Sequence, residues 1–135
     1  MAGYSQRSLQ EKLGIKPNYI ITLINHPERY ERTLGKLPGT VTIALLNETM
    51  FDFIQMFTKE KQELESIFPI LKKHLKHTGM LWISWPKGSS KISTDLNEHV
   101  IRDIGLKNGL VDIKVIAVDD TWSGLKFVYR VKDRK

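Results

Sequence analysis

The run Met80-Leu81-Trp82-Ile83-Ser84-Trp85 is apolar at both alternating positions, and this constrains the fold more than any other stretch. Successive strand side chains point to opposite faces, so a strand apolar on both must lie in a sheet covered on both sides. Such strands belong to the middle of parallel sheets, where crossover helices provide the cover. The rest of the chain should then alternate strands with one-sided helices.

The flanking sequence agrees with that expectation. Leu9 and Leu13, with Gly14 beyond them, mark a brief helix over residues 8–13. Residues 19–24 read as a strand, and Pro27 opens a helix through Gly35 whose Tyr30, Leu34 and Leu37 repeat at helical spacing. A second strand covers residues 40–46, and only residues 47–50 separate it from a third over 51–57. Parallel neighbours cannot be joined so briefly, so either these two pair antiparallel or the second strand is short and irregular. Thr58 caps a helix expected to reach about His77, burying Leu64, Ile67, Phe68, Leu71 and Leu75 and interrupted by Pro69.

Beyond the two-faced strand lie a loop over residues 86–92 and a helix capped by Ser93, Thr94 or Asp95. Leu96, Val100, Ile101 and Ile104 face inward from it, with Gly105 near its stop. Strands over 110–118 and 124–131, joined by a turn at 119–123, read as an antiparallel hairpin. In the last strand Leu125, Phe127, Tyr129 and Val131 share one face, and Lys126, Val128, Arg130 and Lys132 the other.

Composition narrows the possible functions. A chain of 135 residues is expected to form one domain over 1–135, with an N-terminal helix in 1–14 and the terminal hairpin in 110–132. It holds no cysteine, which excludes disulfides, thiolate metal sites and cysteine nucleophiles. No apolar run nears the roughly 20 residues that cross a bilayer, and the first residues lack a signal-like core. The expectation is a cytoplasmic protein without a membrane partner. The net charge of +6 is uneven: residues 1–67 hold eight basic against eight acidic side chains, and 68–135 hold thirteen against seven. Such an excess suits either solubility or an anionic partner.

The first strand leads into Asn25-His26-Pro27-Glu28-Arg29, where nucleotide-binding α/β proteins usually carry a glycine-rich turn that lets backbone N–H groups reach a pyrophosphate. Ligands of open α/β sheets gather at the carboxyl ends of the strands, here Asn25, His26, Asn47, Glu48, Thr58 and Trp85-Pro86-Lys87. Lys87 and Lys91 flank Gly88-Ser89-Ser90, a loop whose ammonium groups, hydroxyls and N–H groups suit an anion, without the Walker pattern. Trp122 either folds back or walls a pocket. Trp82 reads as core, and Trp85, at the strand end, as the pocket residue of the two, with core packing as its competing reading. The candidate ligand set is Asn25, His26, Trp85, Lys87, Ser89, Ser90, Lys91, Trp122 and Ser123. No metal is expected, because His74 and His77 lack a third ligand. Asp119 and Asp120 read as turn residues, and Ser84 and Ser123 have no histidine base.

Two resemblances follow from these residues. Leu13-Gly14-Ile15-Lys16-Pro17, the stretch from Gly79 to Pro86, and Gly109-Leu110-Val111-Asp112 before a terminal hairpin resemble a shortened class I methyltransferase-like domain. This implies a three-layer Rossmann-like α/β fold with a mostly parallel sheet and a C-terminal antiparallel hairpin. Trp85-Pro86-Lys87, Thr94-Asp95-Leu96 and Trp122-Ser123-Gly124-Leu125-Lys126-Phe127-Val128 resemble a bacterial family of small proteins known as a domain of unknown function. The methyltransferase resemblance implies an acidic residue and a glycine-rich turn after strand one, where this chain has Asn25-His26-Pro27-Glu28 instead, and a ribose-binding acid after strand two, a place that Glu48 occupies. Because the glycine turn is replaced, the expectation is a non-catalytic binding or regulatory domain for a small anionic metabolite or a protein partner, with no cofactor. One alternative is a divergent S-adenosylmethionine-dependent methyltransferase. A second is nucleic-acid binding through Lys126, Arg130 and Lys132.

Overall fold

A computed structural model describes residues 8–134. Ser8 caps helix α1 (Leu9–Leu13) with a reciprocal Glu11 bond, and Gly14 closes it in the left-handed conformation at φ 89°. Strand β1 (Ile20–Ile24) follows, then the five-residue helix α2 (Tyr30–Leu34), strand β2 (Thr42–Ile43) and strand β3 (Phe51–Phe57). Helix α3 (Lys61–Lys73), strand β4 (Leu75–Pro86), helix α4 (Glu98–Lys107), and strands β5 (Leu110–Ala117) and β6 (Trp122–Tyr129) complete the order.

The six strands form one sheet in the order β2-β1-β3-β4-β6-β5. β1 pairs parallel with both β2 and β3, and β3 parallel with β4. β6 runs antiparallel to both β4 and β5. This is the Rossmann-like, mostly parallel arrangement with a C-terminal antiparallel pair. The open question of the second strand is settled by its two-residue length. β2 and β3 are not neighbours, because β1 lies between them, and residues 44–50 cross its face with Ala44 and Leu46 packed against the core.

Apolar side chains cover both faces. Leu64, Phe68, Leu71, Ile101 and Ile104 of α3 and α4 pack on Ile54, Met56, Leu81, Ile83, Leu125 and Phe127. On the other face Leu13, Tyr30 and Leu34 meet Phe53, Phe57 and Trp82. Trp82 is fully buried, and its indole N–H donates to Leu13 O at 2.9 Å. The two-faced strand thus sits where its composition requires.

Four local expectations are corrected. The helix expected to reach His77 ends at Lys73, and β4 already includes Leu75, because Leu75 aligns with Phe51 of β3 and Phe51 N–H donates to His74 O. Long-range pairing outweighs the local helical spacing there, so His74 and His77 share no helix. In this region a step of two residues in β3 (Phe51 to Phe53) faces a step of five in β4 (Leu75 to Met80), a wide, irregular bulge of three extra residues that leaves His77 and Thr78 exposed. The cap of α4 is Asn97, whose side chain accepts from Val100 N–H at 2.9 Å. Asp95 instead accepts from Lys61 N–H at 2.7 Å, capping α3 from across the fold. Finally, Trp122 and Ser123 begin β6 rather than ending a turn, while Val131 lies beyond the strand and is exposed.

Candidate functional site

The strand order reverses at β1, since the chain goes first to β2 on one side and then to β3 on the other. Open α/β sheets bind ligands in the crevice at that reversal, outside the carboxyl ends of the strands. Two cavities open there. One, of about 300 Å³, lies among Asn25, Phe57, Thr58, Glu60, Glu63, Ile92 and Trp122. The other, of about 260 Å³, lies among Thr22, His26, Glu31, Ile43, Leu45 and Glu48.

An aromatic chain runs between them. His26 lies 6.2 Å from Tyr30, Tyr30 meets Phe57 edge-on at 4.8 Å, and Phe57 meets Trp122 edge-on at 5.2 Å, all between ring centroids. Buried hydrogen bonds hold its middle: Tyr30 OH donates to Gln55 Oε1 at 2.7 Å, and Gln55 Nε2 donates to Ser84 Oγ at 3.1 Å. Burial pushes the Tyr30 phenol far above its ordinary value; the Gln55 bond opposes this, and Asp119 adds to it. The wall between the cavities is therefore neutral, packed and fixed.

The turn after β1 keeps special backbone geometry without glycine. Asn25 and Arg29 both take positive φ, 57° and 72°, and asparagine tolerates that region because its short side chain bonds locally. Pro27 O accepts from Tyr30 N–H at 3.0 Å, so the turn is hydrogen-bonded into α2. On one side Glu48 Oε1 accepts from Leu45 N–H at 2.9 Å, which fixes the carboxylate at the cavity rim and leaves Oε2 without a hydrogen bond among the described residues. On the other, Thr58 is buried, and its hydroxyl donates to Glu63 Oε1 at 2.5 Å.

The structure divides the sequence-selected residues. Asn25 and Trp122 line the larger cavity, and His26 and Glu48 the smaller. Trp85 is corrected from pocket wall to core: it is 8% exposed among the residues that pack with Leu96, because it points to the face opposite Trp82 and the segment entering α4 closes over it. Lys87, Ser89, Ser90 and Lys91 line none of the cavities described. Ser90 Oγ spends its hydrogen on Lys87 O at 2.6 Å, within its own turn. Ser123 sits in the ladder opposite Trp85 and Ala117. Sequence reasoning missed Ile92, Glu60 and Glu63. Thr94 Oγ1 donates to Lys59 O at 2.7 Å, and that tie with the Asp95 cap draws the loop carrying Ile92 to the end of β3. No sequence spacing signals such a contact.

The layers, the strand order and the paired cavities at its reversal define a class I methyltransferase-like fold. Solved structures similar to this chain bear that out. The ribosomal protein L11 methylase of Lactobacillus delbrueckii subsp. bulgaricus matches at TM-score 0.57 and 14% identity, over 90% of this chain and 75% of that one. Magnesium protoporphyrin IX methyltransferase of Synechocystis, with S-adenosylhomocysteine bound, matches at 0.58 and 11%, over 84% and 75%. An S-adenosylmethionine-dependent methyltransferase of Clostridium acetobutylicum matches at 0.54 and 9%, over 82% and 83%. No protein-family model and no curated protein matches the chain. The expectation of a non-catalytic binding domain is corrected by these neighbours, each of which is itself named a methylase or methyltransferase. That expectation treated the missing glycines as a lost turn, yet Asn25 and Arg29 take the positive φ that glycine would otherwise supply. Among the described residues no helix is long and apolar enough to cross a membrane.

Proposed function

We propose that this chain is a divergent S-adenosylmethionine-dependent methyltransferase whose site is the pair of cavities at the end of β1. The observation that carries the reading is Glu48, a fixed carboxylate across from the β1 turn at the point where the strand order reverses. The donor set fits the compound. Glu48 Oε2 is free to accept from ribose hydroxyls, and Trp122 with Glu60 and Glu63, two carboxylates against the single Lys59 in the same lining, suits cationic groups such as ammonium or sulfonium. When bound, the compound supplies an electrophilic methyl on its sulfonium.

The chain's own residues prepare the surroundings. Phe57 and Trp122 exclude water from one side of the larger cavity, which strengthens interactions within it. Glu63, held by the Thr58 hydroxyl, is a carboxylate able to accept a proton there. Calorimetric titration with S-adenosylhomocysteine tests the reading. Saturable binding is expected, weakened about tenfold by Glu48→Gln through loss of a charged hydrogen bond. A titration without heat, at protein concentrations that would reveal millimolar affinity, removes the proposal.

A further inference from the structure

We propose that the cavity at the opposite end of the sheet is a second binding site, for a small phosphorylated molecule. It measures about 370 Å³, a size typical of small-molecule sites, and is lined by Lys16, Tyr19, His77, Lys126 and Arg134 among others, with no carboxylate in the lining. The wide bulge of β4 shapes it by turning His77 and Thr78 outward. Bulges of this kind recur beside binding sites. Six residue steps along β1 and its flanks lead from Tyr19 to Asn25, about 20 Å at strand rise, so this cavity is separate from the Glu48 site and does not depend on the methyl-transfer reading.

The charge arrangement points to an anion. Lys114 of β5 and Lys126 of β6 are directly paired across the ladder, and like charges so placed oppose folding. Burial, with Lys114 and Lys16, pushes the half-buried Lys126 ammonium below its ordinary value. Asp52, whose charge acts on Tyr19 in the lining, is already engaged by Ile20 N–H at 2.8 Å and by Lys76 at 3.2 Å. Among the described residues Lys114 reaches only a carbonyl, Lys12 O, at 3.1 Å. Arg134 donates from Nε to Tyr129 O at 2.9 Å, an anchor that leaves the two terminal nitrogens of its fork without a hydrogen bond among the described residues.

Two point charges, a guanidinium fork and the Tyr19 hydroxyl around one open concavity suit a multivalent oxyanion such as a diphosphate. A nucleic-acid backbone would call for a stripe of contacts rather than one concavity. The reading also locates a use for the basic excess of the second half of the chain, which the methyl-transfer site leaves unexplained.

Titration of the purified protein with pyrophosphate, at ionic strength held constant with sodium chloride, tests the proposal. Saturable binding and a raised melting temperature are expected. Affinity should fall about tenfold or more in the Lys16→Ala, Lys126→Met double variant and stay unchanged in Glu48→Gln. Arg134→Ala, at an exposed position, should also weaken binding, so the test survives misfolding of the double variant. Without ligand, Lys126→Met should melt no lower than the parent, because it relieves repulsion. The proposal is overturned if pyrophosphate fails to saturate, if the variants bind it as the parent does, or if a single-stranded oligonucleotide binds while pyrophosphate does not.

Discussion

Tyr30→Phe is the most informative single change to the wall between the two cavities, since it deletes one oxygen and leaves the ring stacking in place. Tyr30 is 2% exposed and Gln55 and Ser84 are both at 0%, so the variant leaves Gln55 Oε1 without its 2.7 Å partner in a space that water does not reach. An orphaned buried acceptor costs about 2 kcal/mol. The pH dependence supplies a second, independent signature. In the unfolded chain the phenol ionises near pH 10, whereas burial keeps it protonated in the folded protein. The unfolded state therefore holds fewer protons than the folded state above that pH.

The stability linked to Tyr30 is thus complete below about pH 10 and falls by about 1.4 kcal/mol per pH unit above it, until the folded phenol itself ionises. Phenylalanine has no such proton. Parent and variant should differ by about 2 kcal/mol at pH 7 and converge near pH 11.5, where the linkage loss equals the hydrogen-bond loss. Tyr19 and Tyr129, also shifted upward by burial, are present in both proteins and cancel in the difference. Urea titrations from pH 7 to 12 measure it. Equal stability at pH 7, or curves that stay parallel above pH 10, would refute the reasoning.

Other consequences are sharper in position. At Gly105 an added Cβ would lie 2.0 Å from Phe127 Cε1, so Gly105→Ala should cost about 1–3 kcal/mol through overpacking, read as a lower urea midpoint. Asp95→Ala removes the acceptor of Lys61 N–H and should cost about 1 kcal/mol; a variant as stable as the parent would show that water replaces the cap. Trp122 is the cavity tryptophan, while Trp82 and Trp85 are buried in the core. S-adenosylhomocysteine should therefore change the tryptophan emission of the parent, and a change of equal size in Trp122→Phe would place the ligand elsewhere.

Much of the fold was legible because its signals are local. Apolar parity in residues 80–85, the glycine after Leu13 and the closing hairpin each follow from the chemistry of neighbours in sequence. Where the reading failed, distant parts of the chain competed with local preference. Leu75 completes a helical stripe in sequence, yet it aligns with Phe51 in the sheet. Asp95 is a good cap for the helix that follows it, yet it caps α3. The candidate site shows the same division. Asn25, His26 and Glu48 follow from strand ends, whereas Ile92 reaches the larger cavity only through the packing of its loop on the segment after β3.

The sequence by itself determined a covered, mostly parallel sheet and the edge at which its strands end, because periodicity and turn chemistry act over a few residues. Only the tertiary structure decided that β1 lies between β2 and β3, that Trp85 belongs to the core, and that lysines from separate segments crowd one cavity. Those outcomes depend on which strands become neighbours. The strand pairing is selected by the burial of the whole apolar surface at once, a quantity that no short window of sequence contains.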